Sequence, residues 1–155
     1  MPRIETQENK TLVLKNCIIK ELRDIHVDRL EMEINQFLNH LNSLHAQLFG
    51  PLITRNYGTH FFDDGSVTES YDVIVQAHDY LNFSRFYKVQ EELRAEHCLF
   101  AHFDDNPGNM QYAYAKLDLI FYENDLISDG SQYSIFIQRE DNRFVLDVFR
   151  PVKQL

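Results

Sequence analysis

The chain has 155 residues, the length of one ordinary domain, which can bury a core without disulfides or metals. Its composition, 44% hydrophobic and 25% charged, matches soluble globular proteins and excludes disorder of the whole chain. The net charge of −9, from 15 basic and 24 acidic side chains, disfavours nucleic acid as a partner because phosphates repel a field of this sign.

The cysteine content and the lack of long apolar segments indicate the cellular compartment of the protein. Cys17 and Cys98 are too few for the disulfide framework of a small secreted protein. The first residues lack the apolar run of a signal peptide, and no stretch approaches the roughly 20 apolar residues that span a bilayer. We therefore expect a cytoplasmic protein with reduced thiols and no membrane contact.

The first half predicts a strand, a helix and two more strands. Apolar residues recur at spacings of three and four from Leu30 to Leu48, and Asp28 with Glu31 forms a candidate capping box. In chain order we expect a frayed segment at 1–10, a strand at 12–19, a helix from Asp28 that stops at Gly50-Pro51, and strands at 52–57 and 71–77 joined by an acidic turn at 63–66.

The second half predicts the same order after a charged crossover. Asn106 is a good N-cap because Pro107 follows at the first helical position, and Asn124 is a reasonable left-handed C-terminal cap. The expected elements are a crossover at 79–96 with one helical turn, a strand at 98–103, a helix between Asn106 and Asn124, and strands at 132–138 and 144–148 joined by a polar turn at 140–143.

Corresponding positions in the two halves keep a steady offset. Cys17 and Cys98 both lie in the opening strands, 81 positions apart, and Gly50 and Gly130 follow the two helices, 80 apart. We therefore predict an α+β fold in one domain over residues 1–155. Two βαββ halves, at about 11–78 and 97–152, form a curved antiparallel sheet backed by two main helices.

This order of elements resembles the GyrI-like, or transcription-activator effector-binding, superfamily. The resemblance implies a ligand groove between two βαββ halves. Members often place a Glu in the strand after the second helix, where Ser134 stands here. The likeness is carried by Gly50-Pro51-Leu52, Tyr57, the runs at 114–117 and 124–126, and the strands at 133–136 and 146–148. The chain is also similar to small proteins encoded beside LXG-type toxins of type VII secretion systems, which implies an accessory role.

Strand alternation predicts which side chains line the groove, because neighbours along a strand point to opposite faces. Tyr71, Val73 and Val75, with Tyr133, Ile135, Ile137, Leu146 and Val148, are expected to face the helices. The opposite face mixes aromatic and polar groups, as small-molecule sites do. Together with Tyr114, the candidate ligand-binding residues are Arg55, Tyr57, Asp72, Ile74, Ser134, Phe136, Asp147 and Phe149. An oligomer interface and a plain solvated face remain alternatives.

Catalytic and metal signals are weak. His40 and His45, like His97 and His102, are five apart, and no His-Glu-x-x-His motif occurs, so we expect no metal and no cofactor. The sequence therefore predicts a non-catalytic domain that binds a small aromatic or amphipathic ligand. The alternatives are a protein-binding role, as a homodimer or as an accessory to a secreted toxin, and a small hydrolase using Asp147, Glu123 or Tyr114 as acid or base.

Overall fold

The computed structural model describes residues 4–153, in which six β-strands and two α-helices follow in the order βαββ twice. The elements are β1 (Ile4–His26), α1 (Leu30–Ser43), β2 (Leu48–Phe61), β3 (Val67–Ala77), β4 (Lys88–Asp105), α2 (Gln111–Glu123), β5 (Gln132–Arg139) and β6 (Phe144–Pro151). This confirms the predicted α+β class and the repeated order. Within this range, neither helix combines the length and apolar character that crossing a membrane requires.

The chain divides into two compact units. The α1 unit comprises residues 14–50 and 54–93, and the α2 unit comprises the described parts of 1–13, 51–53 and 94–155. In the α1 unit the strands lie in the order β1-β3-β2, and in the α2 unit in the order β5-β6-β4. Each unit therefore has one central strand, β3 or β6, which is hydrogen-bonded on both sides.

In the α1 unit, β1 and β3 pair antiparallel from Cys17 opposite Gln76 to His26 opposite Thr68. Lys20 pairs with Val73 and lies over the ring of Tyr87, 5.8 Å from its centroid. Tyr87 in turn packs edge-on against Phe37 of α1, with ring centroids 4.8 Å apart. The side of β3 that carries Val73 therefore faces α1, as predicted, and the alternate residues face away from it.

In the α2 unit, one helix face closes over two strands. Ala113, Leu117 and Phe121, spaced by four, present one stripe of α2 to the sheet. The core that they form is almost fully buried: it comprises these three residues with Leu99, Ala101, Phe103, Phe144, Leu146 and Val148. Its strand members alternate along β4 and β6, so the residues between them face away from α2.

Both helices end with the same backbone motif. After α1, His45 adopts a left-handed φ of 57°, and the N–H of Ala46 donates to Leu41 O at 3.0 Å. After α2, Asp125 adopts a φ of 53°, and the N–H of Leu126 donates to Phe121 O at 2.9 Å. These are Schellman caps, and their left-handed residues lie 80 positions apart, as do Gly50 and Gly130.

These caps correct the predicted helix ends. Gly50 does have a positive φ of 72°, but it lies within β2, because α1 already stops at Ser43. Asn124 keeps a negative φ of −106°, and its neighbour Asp125 takes the left-handed position. Glycine and asparagine were the expected residues for that conformation, so the predicted left-handed residue fell five positions late after α1 and one position early after α2.

The other differences from the predicted elements are two polar strand segments and the start of the first helix. β1 begins by Ile4, where a frayed segment was expected, and residues 1–3 lie outside the described range. The charged segment 88–96 is the start of β4, not part of a crossover. Asp28 lies in a 3-10 turn without a side-chain cap. Backbone pairing in a ladder does not require apolar side chains, so these stretches carried no strand signal.

The predicted turns and the second cap are confirmed. The 63–66 turn closes with Phe62 N–H donating to Ser66 O at 3.0 Å, and the 140–143 turn with Glu140 N–H donating to Arg143 O at 2.8 Å. The Asn106 side chain accepts from Gly108 N–H at 2.9 Å, at the start of the turn that leads into α2.

We expect His45→Gly to stabilise the protein by about 0.5–1 kcal/mol, because an L-residue pays for a left-handed φ and Gly does not. Urea unfolding measures this change. Leu44→Gly is the control: Leu44 has a negative φ, so glycine there should destabilise the protein. A loss of stability in His45→Gly would contradict the cap assignment.

Candidate functional site

The α1 unit holds a buried carboxylate, that of Asp72 on β3, which is only 6% exposed. Tyr57 of β2 donates its phenolic hydrogen to Asp72 Oδ2. Arg23 of β1 donates from Nη2 to Asp72 Oδ1 at 2.8 Å. A buried carboxylate is costly unless it is paired, and here strands on both sides of β3 supply its partners.

Two guanidinium groups flank the Tyr57 ring. Arg23 and Arg55 each lie 4.8 Å from its centroid, within cation–π range. Arg23 is itself fixed by donating from Nη1 to the backbone oxygen of Tyr71 at 2.8 Å. Burial, and then the hydrogen bond to Asp72, raise the pKa of the Tyr57 phenol to about 12. The phenol is therefore protonated at neutral pH and acts as a donor.

A surface cavity of about 410 Å³ adjoins this tyrosine within the α1 unit. Its walls include the rings of Tyr57 and Phe61, and Asp24 contributes a carboxylate. Asp24 adopts a left-handed φ of 50° at the irregularity of β1 between Leu22 and Ile25, and its N–H donates to Ser70 Oγ at 3.1 Å. Gly58, Thr59, His60 and Ser70 complete the lining. We call this the hairpin cavity.

In the α2 unit, two of the predicted site residues face the helix. Ser134 pairs with Val148 and Phe136 with Leu146, and both partners belong to the α2 core. Tyr114 of α2 meets Ser134, with the two hydroxyl oxygens 2.9 Å apart. The predicted orientation of β5 was therefore wrong: the register with β6 sets it, whereas apolar Ile137 had suggested the opposite phase and is 47% exposed.

Asp147 and Phe149 lie on the face of β6 away from α2, as predicted. Asp147 Oδ1 accepts from His102 Nδ1 at 2.5 Å, and the two residues are directly opposite on β6 and β4. Phe149 packs against Phe100, with ring centroids 4.9 Å apart. Side-chain exposures of 34% for His102 and 20% for Asp147 leave this pair accessible to solvent.

The structure thus sorts the nine candidates into smaller sets. It joins Arg55, Tyr57 and Asp72 in the α1 unit, with Ile74 fully buried two positions along β3. It places Tyr114, Ser134 and Phe136 between α2 and β5, and Asp147 with Phe149 on the other face. Sequence reasoning missed Arg23, Asp24 and His102, because only strand register reveals their partners.

The cysteines offer no activated nucleophile. Cys17 and Cys98 are fully buried, and burial raises the pKa of each thiol to about 11. A thiolate is the reactive form, so neither is poised for attack at neutral pH. Among residues 4–153, no group of three or more His, Cys, Asp or Glu side chains is arranged to hold a metal ion.

We expect Tyr57→Phe to lower the free energy of unfolding by about 2 kcal/mol at neutral pH, because a buried carboxylate loses a donor. The raised phenol pKa adds a pH signature. The protonated Tyr57 phenol stabilises the folded protein fully below pH 10, and this contribution is lost as the pH rises towards 12, where the phenol ionises in the folded state too. The parent protein should therefore lose more stability over that range than the variant, which has no phenol at position 57.

Urea unfolding at pH 7 and at steps up to pH 12 measures both effects. Tyr122→Phe is the matched control, because Tyr122 is 82% exposed and its hydroxyl can bond to water in either state. Equal alkaline losses in Tyr57→Phe and the parent protein would contradict the proposed hydrogen bond to Asp72.

A scan against protein-family models and a search of curated proteins gave no match to the chain. Solved structures are similar in fold. The EcmrR C-terminal domain is 10% identical, with 100% of this chain and 99% of that chain covered and a TM-score of 0.62. An uncharacterized conserved protein from Listeria innocua is 9% identical, with coverages of 98% and 93% and a TM-score of 0.57.

A third structure, of SAV2435 bound to tetraphenylphosphonium, is 11% identical over 97% of this chain and 94% of that chain, with a TM-score of 0.49. This looser superposition carries no inference about the present chain. The first two similarities, which span nearly the whole of each chain, show that the fold is shared.

Proposed function

We propose that the chain is a non-catalytic domain of the GyrI-like type that binds a small aromatic or amphipathic molecule in the hairpin cavity. Its fold is shared with the EcmrR C-terminal domain, and its sequence resembles the same superfamily in the order of its elements. The observation that carries the proposal is the aromatic wall of Tyr57, which is fixed before any ligand arrives and borders a cavity of about 410 Å³.

Fixing this wall favours binding because ordering a side chain on association costs free energy. The Tyr57 hydroxyl is held by Asp72, and both guanidinium groups lie against the ring. Phe61, 74% exposed, supplies a second apolar surface that a bound ring would shield from water. Small-molecule sites are cavities of several hundred Å³ that combine aromatic side chains with polar groups, and this cavity contains both.

The polar lining suggests the chemistry of the ligand. Asp24 presents a carboxylate whose side chain is 65% exposed. Thr68 Oγ1 donates to its Oδ1 at 3.3 Å, and a ligand group that donates hydrogen bonds can reach the other oxygen. An amino group suits this acceptor, because its protonated form makes a charge-assisted hydrogen bond to a carboxylate. We therefore favour an aromatic ring that carries an amino group.

The same features argue for binding rather than catalysis. The Tyr57 phenol already donates to Asp72, and its raised pKa opposes the loss of its proton. The Asp72 carboxylate is occupied by Tyr57 and Arg23. A general acid or base needs a proton that moves near neutral pH, and this pair holds its proton too firmly.

Calorimetric titration with 1-naphthylmethylamine tests the proposal, with 1-naphthalenemethanol and 1-naphthoate as neutral and anionic probes of similar shape. We expect the amine to bind most tightly. Phe61→Ala should weaken all binding about fivefold, because an aromatic contact is lost. Asp24→Asn should weaken only the amine, by about tenfold, because it removes the charge-assisted hydrogen bond.

Two control variants match these changes elsewhere in the chain. Tyr122→Ala removes a similarly exposed aromatic ring, and Asp141→Asn removes another exposed aspartate; both lie in the α2 unit. Neither should alter binding. Absence of binding by any probe at millimolar concentration, or equal losses in test and control variants, would refute the hairpin cavity as the site.

A further inference from the structure

The α2 unit contains a separate cavity of about 420 Å³ near the end of its helix. Three apolar residues line it: Leu99 of β4, Leu126 after α2, and Val152 after β6. Leu99 belongs to the α2 core, and the other two pack against that core. The apolar side of the cavity therefore rests on packed structure, and an apolar ligand group placed there would bury surface at little cost in ordering.

Most of the polar lining accepts hydrogen bonds. His97 donates from Nδ1 to Asn9 Oδ1 at 2.8 Å, so a neutral ring keeps Nε2 as an acceptor. Asn124 donates from Nδ2 to Ile120 O at 2.9 Å, which leaves its Oδ1 as an acceptor. Glu8 adds a carboxylate. The amide hydrogens of Asn9 and the second Nδ2 hydrogen of Asn124 are the donors of this set.

The charges around this cavity also favour a ligand that donates hydrogen bonds and carries positive charge. Asn124 is the C-terminal cap of the 13-residue helix α2, and the C-terminal end of a helix carries partial negative charge. Asp125 follows directly, and Glu8 lies on the cavity itself. A cation is favoured at such a position, whereas an anion would meet a carboxylate and two neutral acceptors.

The left-handed backbone at position 97 does not by itself require a histidine. His97 has a left-handed φ of 57°, immediately before buried Cys98. At the corresponding position of the first half, Asn16 has a φ of 54° immediately before buried Cys17. The repeated backbone geometry is therefore satisfied by asparagine, and the imidazole at position 97 is an additional feature that faces the cavity and bonds to Asn9.

We propose that this cavity binds a small organic cation, with a primary ammonium group held by Glu8, His97 and Asn124 and an aliphatic body against Leu99, Leu126 and Val152. Three acceptors match the three hydrogens of an ammonium group. This site lies within the α2 unit, so it is independent of the hairpin cavity of the α1 unit.

The test uses cyclohexylmethylamine, with cyclohexylmethanol and cyclohexanecarboxylate as neutral and anionic probes of similar shape. Amide chemical shifts in ¹H–¹⁵N NMR spectra report both affinity and location. We expect the amine alone to shift the resonances of His97, Leu99 and Val152. Glu8→Gln and His97→Asn should each weaken its binding tenfold or more, and His97→Asn should do so without loss of stability, since Asn16 tolerates the same conformation.

His45→Asn is the matched control, because His45 is another exposed left-handed histidine, located in the α1 unit. It should leave amine binding unchanged. Equal affinity for the alcohol or the carboxylate, shifts confined to the hairpin cavity, no binding at millimolar amine, or unchanged affinity in both test variants would each overturn the proposal. Shifts at Tyr57 with an aromatic amine report on the hairpin cavity alone, so the two sites can fail separately.

Discussion

The buried carboxylate of Asp72 is the constraint on which the α1 unit's candidate site depends. It lies on the central strand, and its partners Arg23 and Tyr57 come from the strands on either side. Removing either partner would leave a charge in a poorly hydrated position, which is costly. Satisfying this charge fixes the Tyr57 ring, and the fixed ring in turn forms a wall of the hairpin cavity.

The two units use one backbone plan with different chemistry. Each central strand carries an aspartate on the face away from its helix, Asp72 on β3 and Asp147 on β6. Asp72 is held by an arginine and a tyrosine, whereas Asp147 is bonded to His102. Left-handed residues recur at offsets of 80 or 81 positions in the two halves, whereas the side chains that bond to these two aspartates differ.

Sequence reasoning reached the fold class, the repeated βαββ order and most turns, because these depend on local periodicity and on residues with strong backbone preferences. It failed where position in the structure decides. The polar start of β1 pairs through its backbone, and the left-handed residues after the helices are His45 and Asp125 instead of Gly50 and Asn124. The side chain of Ser134 was predicted on the wrong face of β5, and the contact of His102 with Asp147 was not predicted. Both depend on the register between strands distant in sequence, which the sequence of one strand does not determine.

The most direct test of the binding account is an isotope-filtered NOE experiment on the protein with 1-naphthylmethylamine, which reports which protons lie within about 5 Å of the ligand. The account predicts contacts from the naphthyl ring to the ring protons of Tyr57 and Phe61, and from the methylene next to the amine to Asp24. Ligand contacts confined to residues outside the hairpin cavity would contradict it.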